Sequence, residues 1–190
     1  IAVLLASAHC GEPRTTRGAS PPSDPVIAFV GVTVLPLESA KTLPDQTVVV
    51  RGERIERIGP STSVAVPPEA RVIDGHGRYL MPGLMDLHVH LVRTEDLAIM
   101  LALGITTVRN MWGAPIHLAW RDRIARGEML GPTIVTAGPI LDGEPAAHPG
   151  SMIVRTEADA DRAIVLHRRL GYDFVKIYSY GRADSHDESG

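Results

Sequence analysis

Two imidazoles stand two residues apart at His88-Val89-His90. On a strand, positions i and i+2 face the same way, so both rings can meet one ion while Val89 turns to the opposite, apolar face. Neutral imidazole is a good ligand for zinc and related divalent ions. The pair alone is weak evidence. With 8 histidines in 190 residues, chance supplies about 0.3 such pairs per chain, and two surface histidines near a strand end have the same spacing. Asp86 precedes the pair by two and by four residues and so shares its face on a regular strand. It can fix an imidazole by accepting the second ring N–H, or serve in plain structural hydrogen bonding. Lys176 is flanked by Phe174, Val175 and Ile177, an apolar setting that is unusual for a solvated lysine. Such a lysine either snorkels from a strand end or, with its pKa lowered by burial, is the Schiff-base nucleophile of a barrel lyase. The second scheme leaves both histidines without a role.

From Pro82 onward strands and helices alternate, the texture of parallel βα units. Leu84 to His90 is predicted as the first strand. Thr94 is predicted to cap a helix, with Glu95 and Asp96 in its positively polarised first turn and Gly104 just past its end. Ile105 to Val108 is the second strand. A helix with Ile116, Trp120 and Ile124 on one face leads through Gly131-Pro132 to a third strand, Thr133 to Ala137. A Gly/Pro-rich loop, 138 to 150, precedes a helix capped by Thr156 and ended by Gly171, and Phe174 to Ile177 is the fourth strand. Arg109 and Asn110 end the second strand, where they either touch the site or pair with a carboxylate. His76, His117, His167 and His186 stand in no motif and are read as surface residues.

Before Pro82 the pattern is β. Val26 to Leu35, Thr47 to Val50, Arg54 to Ile58, Val72-Ile73 and Tyr79 to Met81 are β-branched or alternating, with a hairpin turn at Arg51-Gly52-Glu53. The fold class is therefore α/β: the first half of a (β/α)8 TIM-type barrel preceded by a small β-sandwich-like domain. The expected division is a signal-peptide remnant and linker at 1–25, a small β domain at 26–82, a partial barrel with strands one to four at 83–182, and a polar tail at 183–190. Half a barrel leaves an open hydrophobic sheet edge, which favours association of copies into a homo-oligomer.

Composition excludes some partners. The net charge is −3 with scattered basic residues, so nothing matches a nucleic-acid backbone. Ile1 to Ala8 is apolar but too short to span a bilayer, and Ala6-Ser7-Ala8 has the A-x-A form of a signal cleavage site. An export signal is favoured over a buried N-terminal strand, so the expected location is the periplasm or the extracellular space, with no membrane span. Cys10 is the only cysteine, so no internal disulfide supports the fold. A lipid anchor on Cys10 is the alternative to an incidental thiol, although His9 departs from the small residue usual before a lipidated cysteine.

The run Tyr79-Leu-Met-Pro-Gly-Leu-Met-Asp-Leu-His-Val-His90 resembles the first-strand signature of the amidohydrolase superfamily, where a Pro-Gly turn leaves a small β domain and enters a strand ending in Asp-x-His-x-His. Gly104-Ile-Thr-Thr-Val-Arg109 resembles the family's second strand, Gly131-Pro-Thr-Ile-Val135 its third, and Gly171-Tyr-Asp-Phe-Val-Lys-Ile177 the strand bearing its metal-bridging lysine. Val72-Ile-Asp-Gly in the β domain agrees. The resemblance implies that His88 and His90 ligate metal and that Lys176, carboxylated by carbon dioxide, bridges two divalent ions, zinc foremost. It further implies a metal-bound hydroxide that attacks an amide, a cyclic amide or an Xaa-Pro-type dipeptide, so the partner is a small molecule or dipeptide. FVKIYSYG and GPTIVTAGP look most like imidazolonepropionase-like and prolidase-like members. His148 matches a substrate-contacting histidine of some members, and Tyr178 and Tyr180 line the pocket beyond Lys176. The family also uses a histidine from each of strands five and six and an aspartate after strand eight, none of which is assignable here. His186 follows Lys176 by only ten residues, too few for a further helix and strand. The isolated chain is thus expected to be an incomplete N-terminal fragment and inactive. The non-enzymatic alternative is a truncated product or binding relative.

Overall fold

Val26–Val34 (β1) is rich in β-branched residues, and its Val26, Ala28, Val32 and Val34 are buried. It pairs antiparallel with Leu43–Arg51 (β2), which pairs with Arg54–Pro60 (β3) across the two-residue turn Gly52-Glu53. Gly52 has φ +57°, as a hairpin turn with glycine in its first central position requires. On its other edge β1 runs parallel to Arg71–Asp74 (β4) and Tyr79–Leu80 (β5), which completes a five-stranded sheet. The β1–β2 register shifts between Phe29 and Val32, where Gly31 has φ +71°. This glycine bulge sends Val26 and Ala28 to one apolar cluster with Val49, and Val32 and Val34 to a second with Val48. Val48 and Val49 are adjacent on one strand and so point to opposite faces; the sheet is covered on both sides.

The structure, a computed structural model, describes residues 24–178, and the chain divides at Met81/Pro82 into two compact units. The expectations for residues 1–23, including Cys10 and the cleavage site, and for Tyr180, His186 and the tail at 183–190 lie outside the described residues. Among the described residues no helix is long and apolar enough to cross a membrane.

The second unit is mixed α/β. Leu84–Val89 (β6), Ile105–Asn110 (β7) and Thr133–Thr136 (β8) form a parallel sheet in chain order, connected by the helices Thr94–Ala102 (α1) and Pro115–Ala125 (α2). Val89, Leu91, Val108 and Ile134 from the strand side and Leu97 and Trp120 from the helices make one core. Beyond β8, two short parallel strands, Leu141–Asp142 (β9) and Met152–Ile153 (β10), lie within and just after the expected 138–150 loop. The last helix is Glu157–Leu170 (α3).

The helix signals are met unequally. α3 behaves as expected: Thr156 Oγ1 accepts Asp159 N–H, Asp159 returns a bond to Thr156 N–H, and Gly171 closes the helix at φ +86°. Thr94 is not a cap. It is the first helical residue, preceded by Arg93, and no side chain caps the end. Glu95 and Asp96 remain in the first turn, where they complement the macrodipole. On α2 the buried residues are His117 and Trp120, with Ile124 half-buried and Ile116 51% exposed. Residues spaced by fours drift about 40° per step around a helix of 3.6 residues per turn, so spacing by three and then four marks the inward face better than the 116–120–124 row.

Candidate functional site

The end of β6 is irregular. Its ladder with β7 shifts register between Asp86 and Val89, and the Asp86 carboxylate accepts the backbone N–H of His88 at 3.1 Å. A short carboxylate bonding the backbone two residues on is a local turn device, and a bulge here re-aims the residues that follow. Simple alternation from Asp86 to His90 is therefore interrupted. Beyond the shift, Val89 and Leu91 enter the core and His88 and His90 are left exposed. Their rings stack with centres 5.6 Å apart and planes 21° from parallel.

Lys176 is positioned by β9. Leu141 N–H donates to Lys176 O at 2.8 Å and Tyr178 N–H donates to Leu141 O at 3.1 Å. On the other side of β9, Met152 N–H reaches Ile140 O and Val154 N–H reaches Asp142 O. The expected fourth strand is thus present as two parallel bridges, Ala137 to Phe174 and Leu141 to Ile177, rather than as a continuous ladder. Val175 packs on the cluster of Leu141, Val154 and Ala163, so alternation turns Lys176 to the other side, half-buried.

His148 follows a loop tied down by Asp142, whose carboxylate accepts the N–H groups of Gly143 and Ala147 at 2.9 and 2.8 Å. The imidazole stands 4.5 Å from the Tyr178 ring and 5.7 Å from the Trp112 ring, and Trp112 stands 6.0 Å from His90. His88, His90, Trp112, His148 and Tyr178 therefore form one continuous series of ring contacts drawn from four segments of the chain. Partial desolvation, and then the neighbouring His88, His148 and Lys176, hold His90 below the usual imidazole pKa, which favours its neutral form. Lys176 and His148 thus lie near enough to the histidine pair to act electrostatically on His90. Among the described residues no set of three His, Cys, Asp or Glu side chains could hold a metal ion, so the histidine pair needs Lys176 or other groups to complete it.

Trp112 has no motif of its own, and its only sequence signal is a large aromatic two residues beyond a strand end. Among the described residues Arg109 neither binds a carboxylate nor joins this ring series: its Nε donates to Leu87 O at 2.7 Å and its guanidinium lies 5.8 Å from the Phe174 ring centre. Two histidines read as surface residues are buried, His117 at 5% and His167 at 2% exposure. Both sit on inward helix faces, where size and a neutral ring matter more than a motif. His76 is exposed, with Nδ1 2.6 Å from Asp74.

No protein-family model matches the chain. An adenine deaminase from Rubrobacter xylanophilus is 42% identical over 63 residues, 33% of this chain and 10% of that protein. An imidazolonepropionase from Arthrobacter sp. is 45% identical over 56 residues, 30% of this chain and 14% of that protein. Among solved structures, a Bifidobacterium longum protein assigned as a prolidase superposes with a TM-score of 0.73 and 29% identity, over 84% of this chain and 42% of the other. A prolidase solved with N-methylphosphonate-L-proline gives a TM-score of 0.69 and 25% identity, over 82% of this chain and 47% of the other. These matches support the amidohydrolase superfamily, and each is partial. The chain spans 10% and 14% of the length of these two curated relatives and under half of the two solved chains.

Proposed function

We propose that this chain is the N-terminal part of a metal-dependent hydrolase acting on C–N bonds, with β6, β7, β8 and the Phe174–Ile177 segment as the first staves of a (β/α)8 barrel. The stacked pair of His88 and His90, with ring centres 5.6 Å apart and Lys176 near enough to act electrostatically on His90, carries the reading. The donor set fits a divalent cation. A metal–nitrogen bond of about 2.1 Å puts each ring centre about 3.2 Å from the ion, so two rings on one ion have centres no more than about 6.4 Å apart, and 5.6 Å lies within that reach. A neutral His90 has its lone pair available for an ion. Lys176 as an ammonium would repel cations; as a carbamate it is an anion able to bridge two of them, and zinc suits this donor set. Bound there, such ions would supply Lewis acidity and lower the pKa of water to about 7.

The remaining residues act on substrate. Trp112, His148 and Tyr178 form an aromatic side to the site, against which a proline or other flat ring can pack. Xaa-Pro dipeptides are the preferred substrate class, supported by the likeness to prolidases at 25% identity or more; a cyclic amide is the second candidate. The Schiff-base alternative gives no role to the stacked histidines and is not favoured. The test is hydrolysis of an Xaa-Pro dipeptide panel by the full-length protein, with and without chelation. Activity that disappears with the chelator and returns with zinc is expected; chelator-resistant activity, or none on any amide, contradicts the assignment.

A further inference from the structure

We infer that Asn110 and His117 are positioning residues for the histidine pair, clamping the N–H and the carbonyl of Leu91, the residue that follows His90; this rests on the metal-site reading of His88 and His90. β6 ends at Val89, so the polar groups of Leu91 have no strand partner, and side chains replace it. Leu91 N–H donates to Asn110 Oδ1 at 3.1 Å, and Leu91 O accepts from His117 Nε2 at 3.0 Å. The peptide before His90 is held too, because Met111 N–H donates to Val89 O at 2.8 Å. Both peptide planes flanking the His90 Cα are therefore fixed, and its ring is free only about its own side-chain torsions.

The clamp is itself rigid. Asn110 is 0% and His117 5% exposed. His117 Nδ1 accepts from Ala114 N–H and from Asn110 Nδ2, each at 3.0 Å, so the proton resides on Nε2 and points at Leu91 O. Asn110 Nδ2 also reaches Trp112 O at 3.1 Å and Thr136 Oγ1 at 3.0 Å, which ties the same unit to the end of β8. One end of the network thus touches the backbone of His90's neighbour and the other the backbone of Trp112. An apolar core would fill this space without fixing any of these groups; a buried network is tolerated when each member is satisfied, and it then specifies one geometry.

The test compares His117→Phe, His117→Gln and Asn110→Ala with wild type, using zinc affinity and the ring-to-ring NMR contact between His88 and His90 in metal-free protein. Ile134→Val, which loosens the same core without touching Leu91, controls for simple destabilisation. His117→Phe should weaken zinc binding about tenfold or more and lose the ring contact. His117→Gln, which keeps a donor and an acceptor, should recover most of both, and Ile134→Val should change neither. Wild-type ring contacts and zinc affinity in His117→Phe would overturn the proposal, as would equal losses in His117→Phe and Ile134→Val. If Asn110→Ala does not fold, the His117 series decides alone. Zinc affinity unchanged by His88→Ala would instead remove the metal reading, and the metal-free ring contact would still judge the clamp.

Discussion

His117 and His167 are both buried and both held below the ordinary imidazole pKa by burial, yet they differ in what satisfies them. His117 is bonded at both nitrogens. Among the described residues neither nitrogen of His167 has a hydrogen-bond partner, and its ring lies 5.4 Å from Tyr172. Each binds fewer protons folded than unfolded, so each contributes stability that is full above about pH 6.5 and is lost as pH falls through the lower folded value. Thermal midpoints measured between pH 7.5 and 5 should fall in wild type and fall less in His167→Phe, with His117 responsible for the remainder; parallel profiles would contradict this. At the site, Trp112→Ala should raise KM about two- to tenfold with kcat less affected, since a ring–ring contact contributes about 0.5–1.5 kcal/mol. A purely structural Trp112 would lower the amount of folded enzyme and leave KM alone.

At the scale of elements, punctuation residues made much of the order legible. Gly52, Gly104 and Gly171 all take positive φ at ends or turns, and Thr156 with Asp159 forms the cap its type and spacing imply. The misses have physical causes. Thr94 fits a cap by residue type, but the chain enters α1 one residue earlier. The fourth strand is broken because residues 138–140 intervene between its two bridges, a long-range fact with no local mark. Trp112 reaches His148 because the loops after β7 and β8 touch: Gly113 N–H donates to Gly138 O at 3.1 Å, and a Cβ on Gly113 would lie 1.6 Å from Ala137 O. A backbone atom cannot swing aside as a side chain can. Gly113→Ala should therefore cost about 3 kcal/mol or more, read as a lower denaturation midpoint; a wild-type midpoint would show that the loops can part.

For the molecule as a whole, the α/β class and the order of its parallel units were readable from periodicity, whereas the mutual approach of the chemical groups was only partly so. His88, His90, His148, Lys176 and Tyr178 stand out by motif or resemblance, but the contacts joining them run through Trp112, Asn110 and His117, which carry no signature. On β6, Leu84, Met85 and Leu87 are exposed, as are Ile164, Val165 and Leu170 on α3. Apolar surface on both a strand and a helix should make the 190-residue chain alone self-associate, seen as a sedimentation coefficient that rises with micromolar concentration; a concentration-independent monomer would argue that these faces are tolerated as surface.

The most direct measurement is the divalent metal content of the purified full-length protein beside its His88→Ala and Lys176→Ala variants. Wild type should retain close to two ions per chain, zinc foremost, and each variant should lose most of that metal while keeping its fold, because the imidazole of His88 is exposed and Lys176 only half-buried. Equal metal content in all three would contradict a metal centre built on these side chains.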